Sequence, residues 1–331
     1  MSTDAPFFTV AVPTHNRAVL LRELLPRLLA QSFAGFELLL LDDASTDDTP
    51  QVAKQFSDPR LRYVRREKNL RFTRNLNAGL EEARGRYFVL NQDDDVLHRR
   101  FLEHGHAALS ARPDVVLFAA PVWRGGGKLS HASTPLIAAP DPAQQYYAVD
   151  DVPIELPGAV AAAKTLCRMP FAFPAIALRT DALRAAGGFD VDCDAYGTDV
   201  VTLVKVALQG PCLYDPRFGA FYRLHEGNTS RAQTKSERLR LHRLSRDRAV
   251  AAMRAAGLPW EALARTEFEA LESDEQLHVF KQLAEAGVEP GLQRAAWGAL
   301  SGSWPRSRLR LAQKLVSRVG IGNLVRYLLV K

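Results

Sequence analysis

The sequence predicts an α/β fold, a mostly parallel sheet flanked by helices on both faces with an all-helical C-terminal region. Three observations predict it. The first 120 residues alternate short apolar runs with segments whose apolar residues recur at helical spacing. The apolar runs, such as "FELLLL", are continuous, as in strands buried on both faces. From Ala232 onward the chain reads as nearly all helix.

The elements follow in order. "FFTVAV" reads as a strand, and residues 18–31, "AVLLRELLPRLLAQ", as an amphipathic helix with Pro26 as an irregularity. "FELLLL" is the second strand and ends at Asp42; Thr49 to Phe56 is a short helix. "LRYVRR" is the third strand, and "TRNLNAGLEEA" a helix with Thr73 as its cap. "YFVL" is the fourth strand, Arg100 to Ala111 a helix and "DVVLFAA" a further strand. Residues 121–157 lose periodicity and gain Gly and Pro, which reads as a long connection or flap. Structure resumes over 172–224 with "AIALR", the "GGFD" turn, a helix from about Thr198 to Gln209 and the strand "FGAFYRL". Helix breaks follow near Gly257-Leu258-Pro259, Pro290-Gly291 and Trp304-Pro305. The organisation is a domain over 1–231, its halves 1–120 and 121–231, and a basic helical region over 232–331.

Composition narrows the function classes. The 331 residues are 47% hydrophobic and 24% charged, ordinary for a globular protein, and no apolar run approaches the ~18 residues of a spanning helix. "MSTDAPFFTV" has no basic region followed by an apolar core, which predicts a cytoplasmic protein. Cys167, Cys193 and Cys212 are scattered, with no CxxC, which argues against a disulfide or zinc framework. The net charge of +6 is uneven: no acid follows Glu289, whereas acids cluster at 42–48 and 93–95. The front suits a cation and the tail an anionic surface.

In open α/β sheets ligands bind beyond the carboxyl ends of the strands. Three such ends are marked here: "PTHNR", "LDDASTDD" and "NQDDD". There is no GxGxxG after the first strand and no GxxxxGK[ST], so two common phosphate cradles are absent. Carboxylate oxygens favour Mg²⁺ or Mn²⁺, and the ion then carries phosphates. The simpler alternatives are an Asp triplet capping a helix and "DDASTDD" as a polar turn. His104 and His106 read as surface or packing residues, and Asn228-Thr229-Ser230 as a sequon without a secretion signal.

Taken together, "VAVPTHNR", "LLLLDDASTDDT", "NLRFTRNLNAGLEEARGRYFVLNQDDDVL", "GGFD…TDVVTL" and "YRLHEGNTS" resemble the family 2 glycosyltransferases of the GT-A fold, over about residues 7–231. The resemblance implies a GT-A-type Rossmann-like sheet and an inverting transfer of sugar from a nucleotide diphosphate sugar, UDP- or dTDP-linked, to an acceptor hydroxyl. It implies a saccharide or lipid-linked saccharide acceptor in cell-surface polysaccharide synthesis. By the same resemblance Asp43, with Asp42 beside it, recognises the donor's base, and Pro13, Asn16 and Arg17 line that pocket. Arg74 and Asn75 lie near base and diphosphate. The Asp cluster matches the DxD motif in either of two registers. Asp94 holds the metal and Asp93 the ribose, with Asp95 supporting; or Asp93 and Asp95 both reach the ion. Asp199 is implied as general base, and His225 approaches the metal or diphosphate.

Two positions depart from the family pattern: Gln92 stands where the first Asp belongs, and Thr198 replaces a Glu. They leave open a donor-binding scaffold without catalysis. A metal-dependent phosphohydrolase is disfavoured by Ala44, where a DxDxT motif needs its second Asp, and a nucleotidyltransferase by the glycine-free "PTHNRAVLLRE". Phe171 and Phe173, in "RMPFAFPAIALR", stack on a sugar or pack in the core. The tail, with Leu309, Leu311, Leu315, Val316 and Val319 among basic residues, fits a helix on an anionic membrane, or one packed on the domain or on a dimer partner. No nucleic-acid motif accompanies the charge.

Overall fold

The structure is a computed structural model that describes residues 5–125, 152–168, 171, 173–194, 197–217, 219–223, 234–270, 276, 280, 282–283 and 286–303. Its centre is an eight-stranded sheet in the order β3-β2-β1-β4-β9-β6-β10-β8. The first four in that order are β3 (Leu61–Arg65), β2 (Phe36–Asp42), β1 (Phe8–Thr14) and β4 (Tyr87–Leu90), followed by β9 (Ile176–Arg179), β6 (Leu117–Ala119), β10 (Cys212–Tyr214) and β8 (Ile154–Leu156). β3, β2, β1 and β4 run parallel, whereas β9 runs antiparallel to both β4 and β6, so the sheet is mixed at its middle. A second sheet joins β5 (Val96–Leu97), β11 (Ala220–Arg223) and β7 (Val122–Gly125) in the order β5-β11-β7.

Alternation along the buried strands builds two cores. Val10 and Val12 face one side with Leu21, Leu24 and Leu25 of α1 (Ala18–Leu29), along with α2 (Thr49–Lys54) and α4 (Phe101–Ala111). Ala11, Leu39 and Leu41 face the other side, with Leu76 and Leu80 of α3 (Phe72–Glu82). That second core continues through α5 (Gly158–Arg168) and α7 (Thr198–Ala207) to α8 (Lys235–Ala255), α9 (Trp260–Glu269) and α10 (Pro290–Ser303). α6 (Thr180–Ala185) connects β9 to the loop before α7. Gly79 lets α3 sit against β2, since a Cβ there would fall 2.3 Å from Leu41 Cδ1.

Several sequence expectations change. Helix α1 runs through Pro26. Residues 122–125 and 154–156 are strands rather than parts of an unstructured connection, while 126–151 lie outside the described residues. "FGAFYRL" contributes β11 to the second sheet. Helix α5 and strands β5 and β10 were not anticipated; each is short or lacks a clear period. Thr73 lies inside α3 and caps nothing; Asp194 accepts from its hydroxyl instead, at 2.8 Å. The Asp triplet caps no helix either, because β5 follows it and α4 begins at Phe101. Phe171 and Phe173 are 1% and 9% exposed and pack in the core, which removes them as a sugar platform. His106 packs on the rings of Phe7 and Phe33. The three cysteines are buried thiols.

Candidate active site at the strand ends

Register brings the three marked strand ends together. Thr14 of β1 pairs with Asp42 of β2, and Leu90 of β4 lies beside Ala11, so the chain beyond Leu90 passes Thr14. Thr14 is the joint: its hydroxyl donates to Asp93 Oδ2 at 2.8 Å, and its carbonyl accepts the Asp43 N–H at 2.9 Å. Sequence reasoning passed over Thr14, although it stands inside the quoted "PTHNR".

The predicted nucleotide-side residues divide into bracing and accessible groups. Asp42 is wholly buried; it accepts from the Ser45 N–H at 2.8 Å and the Tyr63 hydroxyl at 2.5 Å, with Arg65 at 3.5 Å. Burial, reinforced by Asp42, pushes the Tyr63 hydroxyl well above its ordinary pKa, so Tyr63 stays a donor. Asp43 accepts from the Leu70 N–H at 2.7 Å, which ties the approach to α3 onto the end of β2. Pro13 is buried in β1. Asn16 bridges the first two loops: its Oδ1 accepts the Thr46 N–H at 2.7 Å and its own N–H donates to Ser45 Oγ at 2.9 Å. Asp47 accepts the Ala18 N–H at 3.1 Å and so caps α1 from the neighbouring loop; much of "DDASTDD" is thus a polar turn. Arg17 Nε lies 4.0 Å from Asp93 Oδ1. Asn75 is buried, donating to the Leu41 carbonyl and accepting from Arg66 Nε, so it braces the site from beneath. Arg74, one residue before it, is exposed.

The described non-glycine residues with positive φ are Asn16, Ala44, Arg71 and Asp194. The first two follow β1 and β2, Arg71 precedes α3, and Asp194 contacts the first turn of α3 through Thr73. Backbone strain of this kind collects where the surroundings over-determine a site.

The aspartate turn has its own electrostatics. Asp95 Oδ1 accepts the Arg223 N–H at 3.1 Å, joining the turn to β11. Burial, and then the neighbouring Asp94, hold the Asp95 carboxyl well above the usual carboxylate range. Asp95 Oδ2, Asn91 Oδ1 and Gln92 Oε1 are all buried without a hydrogen-bond partner among the described residues. Each such oxygen costs about 1–3 kcal/mol if left unsatisfied. Three orphaned oxygens beside Asp93 and Asp94 fit a hard cation. The acids alone do not complete a shell, since no group of three or more His, Cys, Asp or Glu among the described residues is arranged to hold a metal. An ion here would draw on amide or phosphate oxygens, or on residues outside the described ones, as well. Gln92, the departure from the motif, still contributes an oxygen to the turn.

Asp199 opens α7 and is half-buried, its Oδ1 accepting the Val200 N–H at 2.9 Å. Asp194, five residues earlier, accepts from Thr73 in the first turn of α3. His225 lies outside the described residues, as do the sequon and 304–331.

Comparison with known proteins agrees with this architecture. Residues 9–163 match the model of "Glycosyl transferase family 2". A Campylobacter jejuni GalNAc(5)-diNAcBac-PP-undecaprenol beta-1,3-glucosyltransferase is 36% identical over 95 residues, 28% of this chain and 31% of that protein. The chain spans 13% of the length of one curated relative it matches and 37% of another. Among solved structures, residues 1–349 of S. aureus TarS in complex with UDP-GlcNAc align with TM-score 0.66 at 17% identity, covering 96% of this chain and 89% of that one. The mannosyltransferase PcManGT from Pyrobaculum calidifontis, in complex with GDP-Man and Mn²⁺, aligns with TM-score 0.52 at 20% identity, covering 99% and 86%. At these identities the structures establish the fold.

Proposed function

Since residues 9–163 of this chain belong to the family 2 glycosyltransferases, we propose that the protein transfers a sugar from a nucleoside diphosphate sugar to an acceptor hydroxyl with inversion at the anomeric carbon. The observation that carries this is the convergence of three strand ends on Thr14, with three orphaned oxygens beside the aspartate turn.

Asp43, fixed by Leu70 and Thr14, faces the base of the donor; Asn16 and Asp42 hold the loop that frames it. Asp93, held by Thr14, takes the ribose, and Arg17 and the exposed Arg74 meet diphosphate charge. Asp94 and Asp95 would hold Mn²⁺ or Mg²⁺, with His225, outside the described residues, as the further ligand that the family resemblance implies. When bound, that ion supplies Lewis-acid stabilisation of the charge on the departing diphosphate. Asp199 accepts the proton of the acceptor hydroxyl as its oxygen attacks. Its place at a helix N-terminus favours the anion, which keeps it ready but limits its basicity.

The donor is a UDP- or dTDP-sugar, and the acceptor a saccharide or lipid-linked saccharide in cell-surface polysaccharide synthesis. The undecaprenol-linked acceptor in the Campylobacter relative's name supports the lipid-linked form. No helix among the described residues is long and apolar enough to cross a membrane. A cytoplasmic protein whose basic C-terminal region meets an anionic membrane surface, or a homodimer partner, fits this reading.

The test screens nucleotide sugars with Mn²⁺ against wild type and Asp94→Asn, following thermal stabilisation and nucleotide release. The proposal requires metal-dependent turnover of one donor, lost in the variant. Stabilisation without turnover by any donor, across saccharide and lipid-linked acceptors, points to a binding scaffold.

A further inference from the structure

We infer that Arg248 is a positioning residue for Asp199, so that helix α8, outside the family-matched residues, sets the geometry of the segment carrying the base. The inference rests on the reading of Asp199 as acceptor base.

Among the described residues, the segment between α6 and α7 has no helix or strand before Thr198. It is held from two sides. Arg248 Nη1 lies 2.5 Å from both Asp190 oxygens, and Nη2 2.6 Å from Asp192 Oδ2. Asp190 in turn accepts the N–H groups of Asp192 at 3.1 Å and Cys193 at 3.2 Å, so the guanidinium organises the backbone as well as two carboxylates. Burial alone would raise the Asp190 pKa, but Arg248 and these N–H donors hold it below the usual value. Gly197 then brings the chain against α8. With φ 119°, a Cβ there would fall 2.9 Å from Ser245 Cβ and 3.4 Å from the Leu241 carbonyl oxygen. On the opposite side, Asp194 accepts from Thr73 of α3. Asp199 follows Gly197 by two residues, so its direction depends on where these contacts set the chain.

Arg248→Met leaves Asp190, whose side chain is 7% exposed, without its cation and costs some stability, whereas the Asp192 arm is exposed and contributes little. Val200, Leu203 and Val204 of α7 pack with Ala249, Val250 and Met253 of α8 in the main core, which holds the two helices together without the clamp. A forked Arg–carboxylate contact adds geometric precision beyond its energy. A misplacement of about 1 Å at a reacting group can lower the rate about 100-fold.

The experiment compares Arg248→Met, Arg248→Lys and Asp192→Asn in the full chain. Two readouts are used: hydrogen exchange over 190–200, and steady-state transfer with the nucleotide sugar that wild type turns over. Arg248→Met is expected to speed exchange of the Asp192 and Cys193 amides about tenfold. It is expected to lower kcat about 10- to 100-fold with donor KM within twofold, and Arg248→Lys to recover part of both. Asp192→Asn removes one arm of the clamp, leaves folding intact and should lower kcat less, about two- to fivefold. Wild-type exchange and kcat in these variants overturn the inference, as does a loss of donor binding that parallels the loss of kcat. Should Arg248→Met fail to fold, the other two variants decide in the same terms. Normal transfer by Asp199→Asn, or no turnover by wild type, would overturn the underlying reading and the inference with it; an inactive Asp199→Asn beside a fully active Arg248→Met overturns the inference alone.

Discussion

Thr14 donates its hydroxyl to Asp93 Oδ2 at 2.8 Å while its carbonyl accepts from Asp43, so one residue of β1 fixes both acidic strand ends. Replacing it with Val keeps the strand and the carbonyl contact to Asp43 and removes the hydroxyl tie to Asp93. Thr14→Val should cost about 1–2 kcal/mol, read from the urea midpoint, because the acceptor is a partly buried carboxylate. Donor KM should rise in the same variant as Asp93 loses its orientation.

Asp199→Asn keeps the size and hydrogen-bonding shape of the side chain and removes its basicity. Transfer should fall by about 10²–10⁴ while nucleotide-sugar binding by calorimetry stays unchanged. Loss of both would make Asp199 a structural residue.

His242 of α8 is charged with difficulty. Burial, then the neighbouring Arg246, pulls its pKa from about 6.5 down to about 3. The unfolded chain therefore binds a proton that the folded chain refuses between these values. Stability is insensitive to this group above pH 6.5 and falls as pH drops from there toward 3. The loss should be on the order of 1 kcal/mol near pH 5.5, and His242→Gln should flatten that part of a stability–pH curve.

Gly79→Ala probes the approach of α3 to β2. The added Cβ would meet Leu41 Cδ1 at 2.3 Å and Cδ2 at 2.9 Å in a packed core. A destabilisation of about 1–3 kcal/mol is expected by thermal denaturation.

The strands that frame the site were legible because each is a continuous apolar run ending in acids, and the parallel register of β1, β2 and β4 then follows from the alternation of strand and helix. The antiparallel β9 was not legible: "AIALR" has the same composition whichever way it runs, and direction depends on chain far from it. The acids of the site were visible as residue types, but their division of labour was not. Asp42 and Asn75 became braces because Tyr63, Arg66 and the Leu41 carbonyl lie within reach, and those contacts span 9 to 34 residues. Asp194 as the partner of Thr73 lies 121 residues away, beyond any local capping pattern. Gln92 read as a flaw in the motif; its oxygen is buried without a partner among the described residues, as are those of Asn91 and Asp95.

The proposed function requires the aspartate turn and the strand-end loops to bind a nucleoside diphosphate together, through a divalent ion. Calorimetric titration of UDP, dTDP and GDP into wild type and Asp94→Asn, with and without Mn²⁺, tests it most directly. One diphosphate is expected to bind wild type at least tenfold tighter with Mn²⁺, about 1.4 kcal/mol, and the gain to vanish in Asp94→Asn. Binding indifferent to Mn²⁺ in both proteins, or no binding of any diphosphate, would contradict it.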